Sequence, residues 1–178
     1  YITTSSDFAH AITDDPVTTT NISVHAVAKL ELSSSDQGNL LSTPYGSNGF
    51  ELRFGKGGTS DSVYLPVFKF RSFELRAKAL KLADNRYHHM VGTYDGTTAK
   101  LYVDGFLFAS DTTSQSSITF SRLLLGDTAL VGGRYFNGDI AYLSIFNTTH
   151  SQADVTQQYN ALTALMATRS ITLGDNPT

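Results

Sequence analysis

The residues best equipped for chemistry in this chain are an adjacent imidazole pair, His88-His89, and sixteen carboxylates. Neighbours on a β-strand point to opposite faces, so the two imidazoles cannot share one metal ion. Their expected role is structural, hydrogen bonding inside a folded core. No Gly-x-Ser-x-Gly elbow occurs to carry a serine nucleophile, and no His-Glu-x-x-His helix to carry zinc. The chain has no cysteine, which excludes disulfides, thiolate metal sites and cysteine nucleophiles. These residues point to binding rather than catalysis.

Three kinds of ligand fit what is left. Sugar recognition needs planar hydrogen-bonding side chains and an aromatic face for the sugar's C–H surface. Asp36, Asn39, Tyr45, Asn48, Asp127, Arg134 and Tyr135 are the loop candidates, in a chain with no tryptophan. An anionic partner is suggested by a basic stripe, Lys69, Arg71, Arg76, Lys78 and Lys81, continued by Arg86 and opposed locally by Glu74 and Asp84. The alternative for that stripe is a solvated sheet face whose lysines discourage edge-to-edge pairing. Calcium is the third, because thirteen of the sixteen acids are aspartates and hard oxygen donors suit that ion. Asp84, Asp127 and Asp139 are its candidate ligands. A formal net charge of -3 excludes general nucleic-acid binding, and no apolar run reaches the roughly 20 residues of a membrane-spanning helix. Two sequons, at Asn21 and Asn147, matter only in a eukaryotic secretory route.

The elements that position these residues are strands. At 178 residues the chain fits one domain, with residues 1–19 an opening segment and 168–178 a flexible tail. From Ile22 to Leu32 apolar residues alternate with Ser23, His25, Val27, Lys29 and Glu31, which predicts a long half-buried strand. Shorter strands are expected at 40–42, 50–54 and, once or twice, within 63–73; the Leu/Ala/Lys-rich stretch 77–82 reads as strand from its neighbourhood. Asp95-Gly96 and Asp104-Gly105 separate three β-rich runs and predict a meander over 87–94, 98–103 and 106–110. Strands at 118–125 and 140–146 follow. Ser151, with Asp154 three residues on, opens a helix whose Val155, Tyr159, Leu162 and Met166 recur at helical spacing. The fold class is all-β: a two-sheet antiparallel jelly-roll sandwich with one short C-terminal helix.

The segment Tyr87 to Ser110, YHHMVGTYDGTTAKLYVDGFLFAS, resembles the signature of laminin-G-like and pentraxin-like domains of the concanavalin-A-like lectin/glucanase superfamily. Asn21 to Lys29 is similar to that family's early core strand. Leu125-Gly126 with Phe136 to Ile140 is similar to its penultimate strand pair, and the likeness covers residues 20 to 165. It departs at Val27 and Tyr87, where many members have tryptophan, and at Ala141-Tyr142, where many have Asp-Glu. The resemblance implies a two-layer jelly roll with loops gathered at the rim. Glycosidases of that fold carry Glu-x-Asp-x-x-Glu, and none of Glu31, Glu51 and Glu74 begins such a motif. The expectation is a non-catalytic binding module of a larger extracellular or particle-surface protein, recognising a glycan or a cell-surface or matrix partner. The alternatives are an assembly module of an adhesin or viral fibre, or an accessory domain of a carbohydrate-active enzyme.

Overall fold

The computed structural model describes residues 2–4, 9–31, 38–44, 48–56, 64–78, 80, 82, 84–126 and 135–174. Runs of alternating apolar, aromatic and β-branched residues become twelve strands. In chain order they are β1 (Ile2–Thr4), β2 (Ala9–Thr19), β3 (Asn21–Leu30), β4 (Gly38–Ser42), β5 (Phe50–Lys56) and β6 (Tyr64–Phe70). There follow β7 (Phe73–Arg76), β8 (Tyr87–Asp95), β9 (Thr98–Val103), β10 (Phe106–Thr112), β11 (Ile118–Leu125) and β12 (Gly138–Phe146). One helix, α1 (Gln152–Ala167), closes the chain.

The strands form two antiparallel six-stranded sheets. Sheet A runs β1-β12-β3-β8-β9-β10, and sheet B runs β2-β11-β4-β5-β6-β7. The main core lies between them. Ile22, Val24, Ala26 and Ala28 of β3, with Met90 and Tyr94 of β8, face Phe50, Leu52, Phe54, Phe68 and Phe70 of sheet B. Gly92 sets the spacing at the centre: a Cβ there would fall 2.1 Å from the Phe68 ring. The opening segment supplies an edge strand to each sheet, β1 beside β12 and β2 beside β11.

The meander follows its turn chemistry. Asp104 (φ 48°) and Gly105 (φ 84°) form the two-residue turn between β9 and β10, in the positive-φ geometry that matches strand twist. At the other turn, Asp95 Oδ1 accepts from the backbone N–H of Thr97 at 2.9 Å and of Thr98 at 2.7 Å, while Gly96 takes φ 93°.

Three expectations are corrected. The strand from Ile22 is buried on both faces, since Ser23, His25 and Val27 are as dry as the core-facing set. The reason is the C-terminal segment: Thr148 and His150 engage Ser23, and Phe146 and His150 face His25. Leu162 and Met166 of α1 pack on Val27, while its Val155 packs on Val91 and Tyr102. Residues 77–82 form no strand where they are described; Ala77, Leu80 and Leu82 are buried in the main core from irregular backbone. The tail is packed as far as Gly174: Leu173 bridges Tyr87, and Gly174 N–H donates to the Tyr87 carbonyl at 2.6 Å. Residues 175–178 lie outside the described residues. The helix start is as its sequence indicates, a capping box in which Ser151 and Asp154 satisfy each other's backbone N–H groups.

Candidate functional site

A cleft opens where sheet B parts. β4 ends at Ser42 and meets β11 only through Leu124 and Leu125, so Ile118–Leu123 have no strand on that side. Thr43, just after β4, is tied to the start of β5 by its N–H, which donates to the Phe50 carbonyl at 3.1 Å. The gap is a cavity of about 480 Å³, lined by Pro16, Asn48, Arg71, Ser117, Thr119, Phe120 and Ser121. Ser117, Thr119 and Ser121 face it because they alternate with Ile118 and Phe120, whose side chains enter the core. Asn48 and Arg71 come from the opposite bank, Arg71 from the two-residue turn between β6 and β7. Arg71 Nη1 spans the cleft to the Ser117 carbonyl at 3.1 Å. The site therefore combines one amide, one guanidinium and several hydroxyls over the apolar surface of Phe120 and Pro16.

Two sequence candidates, Asn48 and Arg71, are brought together here. The hydroxyl row was missed, although its signal is present as Ser-x-Thr-x-Ser at 117–121, the outward phase of a period-two strand. The other candidates lie elsewhere. Tyr135 is 46% exposed and outside this cleft. Asn39, read as a loop ligand, is instead a fully buried residue of β4. Neither its Oδ1 nor its Nδ2 has a hydrogen-bond partner. Asp36, Tyr45, Asp127, Arg134 and Lys81 lie outside the described residues.

Two members of the basic stripe, Lys69 and Arg76, are paired with carboxylates. Cross-strand pairing brings Glu51 of β5 against Lys69 at 2.9 Å and Arg53 at 3.0 Å, and Glu74 pairs with Arg76 at 2.5 Å and also with Arg53. Arg53 is 2% exposed and held between two carboxylates, and the segment 69–86 gave no sign of it. Lys78 is exposed. Among the described stripe residues, Arg71 is the one that faces a cavity.

Two of the three candidate calcium ligands, Asp139 and Asp84, lie among the described residues and are engaged separately. Asp139 pairs with Lys29 at 2.9 Å and accepts from the Tyr87 hydroxyl at 3.0 Å. Asp84 faces His88 Nε2 at 3.1 Å. Among the described residues, no group of three or more histidine, aspartate or glutamate side chains is arranged to hold a metal ion.

His88 and His89 diverge, as strand geometry requires. His88 Nδ1 lies 2.7 Å from Asp104 Oδ2, while Asp104 Oδ1 accepts the His89 backbone N–H at 2.9 Å, so one buried carboxylate clamps the turn onto β8. Burial depresses the His88 pKa, but the hydrogen bonds and charges of Asp104 and Asp84 overcome it and leave it above the ordinary 6.5. His89 joins a row beneath α1. Its Nε2 is 3.1 Å from His25 Nδ1, and His25 Nε2 is 3.0 Å from His150 Nδ1. Burial lowers the pKa of His89 to about 3, and burial with its histidine neighbours lowers His25 to about 3.

With this architecture in place, comparison with known proteins gives a family. A laminin G model, described as the concanavalin A-like lectin/glucanases superfamily, matches residues 4–156. The chain belongs to this superfamily. No curated protein matches it in sequence. Several solved members of like fold are similar to this lectin/glucanase-superfamily domain. A protein from Bacteroides ovatus to which carbohydrate binding is ascribed is 16% identical, with a TM-score of 0.71 over 87% of this chain and 45% of that one. The heptameric SAP-like pentraxin of Limulus polyphemus is 13% identical, with a TM-score of 0.65 over 86% of this chain and 76% of its own. The CBM40 module of the Ruminococcus gnavus IT-sialidase is 17% identical, with a TM-score of 0.60 over 78% and 82%. The domain thus spans less than half the length of the Bacteroides ovatus protein. At such identities the shared property is the fold.

Proposed function

We propose that this domain is a non-catalytic glycan-binding module of a larger surface or extracellular protein. The observation that carries this reading is the cleft at the parting of sheet B. Its polar groups come two or three from each bank, with an apolar floor between them. Binding sites of that size fix a ligand through a few placed polar groups and shape complementarity. The carbohydrate-binding proteins among the structural neighbours support the same reading. So does the fate of the acids. The two glutamates that approach each other, Glu51 and Glu74, share Arg53 and are held by further cations, not poised as acid and nucleophile.

A glycan array run with and without calcium, at low and moderate salt, tests the proposal. Glycan binding that Asn48→Ala weakens tenfold or more is expected. Silence on the array, or binding indifferent to Asn48→Ala, counts against the cleft. New reducing ends released from soluble polysaccharides would overturn the non-catalytic reading. A second reading, an assembly module, is favoured by Phe106 and Leu107, each 47% exposed on the edge strand β10. Concentration-dependent association in light scattering, abolished by Leu107→Lys, supports that alternative.

A further inference from the structure

We infer that Arg71 makes the cleft selective for sugars bearing a single carboxylate; this rests on the cleft being the glycan site. Arg71 is the first central residue of the tight turn joining Phe70 to Phe73, and its φ is 56°. That left-handed region is disfavoured for any residue with a Cβ, and glycine is the usual occupant of such a position. The chain keeps an arginine there, and what the arginine gains is reach into the cleft.

The guanidinium is also arranged to receive an anion. Its Nη1 donates to the Ser117 carbonyl, which directs the group across the cleft. The remaining Nε and Nη2 N–H groups form the side-on fork that matches both oxygens of a carboxylate. No carboxylate occupies that fork among the described residues, whereas Lys69, Arg76 and Arg53 of the same sheet are each paired with glutamate. Among the described residues, the other polar groups that line the cleft are neutral: the Asn48 amide and the hydroxyls of Ser117, Thr119 and Ser121. One unpaired cation among neutral hydrogen-bonding groups suits a monoanionic sugar ring. It does not suit a polysulfated chain, which binds through many dispersed cations. The shared chemistry is a pyranose carboxylate, which a terminal sialic acid or a uronic acid can supply.

The experiment titrates the domain with N-acetylneuraminic acid, glucuronic acid and glucose, followed by saturation-transfer NMR and calorimetry. The two acids distinguish the two sources of carboxylate. At least one acid is expected to bind tenfold or more tightly than glucose. Arg71→Gly should remove that preference while keeping or raising the melting temperature, because glycine relieves the positive-φ strain. Arg71→Lys keeps the charge but loses the fork, and should also lose tenfold. Equal affinity for acids and glucose, or an acid preference that persists in Arg71→Gly, refutes the role of Arg71 and leaves the glycan reading standing. Binding of sulfated polymer alone, with a steep salt dependence, likewise refutes it. No response to any sugar, on titration or on the array, refutes both.

Discussion

Lowering the pH from 7 to 5 should destabilise this fold through two specific imidazoles. His25 and His89 are fully buried beneath α1, ring against ring at 5.3 Å, faced by His150, Phe146 and Tyr159. Each has a folded-state pKa near 3 against an ordinary 6.5. Between those values the unfolded chain binds protons that the folded chain refuses. Through these two groups stability falls as pH drops below 6.5, and their loss is complete near pH 3; His88, whose folded-state pKa is raised, opposes it over pH 7 to 5. Each group contributes about 1.4 kcal/mol per pH unit, so 1.5 units and two groups give about 4 kcal/mol at pH 5. For a chain of 178 residues that corresponds to a drop of roughly 8–16 °C in melting temperature. Thermal and urea unfolding at pH 7, 6 and 5, for the natural protein and for His89→Gln, measure the effect. The variant, with one titrating group removed, should lose only about half as much. His88 is common to both proteins, so an identical pH dependence in the two would show that the buried histidines do not titrate as the packing requires.

Other perturbations follow from packing and hydrogen bonds. Gly92→Ala forces a methyl group into the Phe68 ring and should cost about 1–3 kcal/mol or more by chemical denaturation. Asp104→Ala strips the clamp from His88 and orphans the His89 N–H, for a loss of about 3–5 kcal/mol, read from the same unfolding curves. Asn39→Leu replaces a buried amide that lacks partners and should raise stability by about 1–2 kcal/mol; a destabilised variant would mean that the amide is engaged. Ser151→Ala breaks the capping box and should cost about 1 kcal/mol, visible as a lower melting temperature.

The features legible in the sequence are those set by neighbours along the chain. The two Asp-Gly turns, the meander they join and the Ser151 cap need no distant partner, and each lies where its local chemistry puts it. Features set by distant neighbours were hidden. His25 looks solvent-facing by alternation, and only Phe146 and His150, more than 120 residues later, cover it. Lys69 looks like part of a cationic stripe until β5 places Glu51 beside it. The 77–82 stretch misleads for another reason: its side chains are chosen for the core while its backbone follows no period. For the cleft, Asn48 and Arg71 stood out as polar loop and stripe residues. Their meeting depends on how far β4 runs beside β11, which no local pattern encodes.

Under the proposed function, that early end of β4 separates recognition from folding. Among the described cleft-lining residues, Phe120 is the one in the main core. Exchanges at Asn48, Ser117, Thr119 or Ser121 should thus reshape the ligand's surroundings and leave the sandwich intact. One such frame can serve many specificities, because selection can alter what is bound at little thermodynamic risk to the scaffold that holds it.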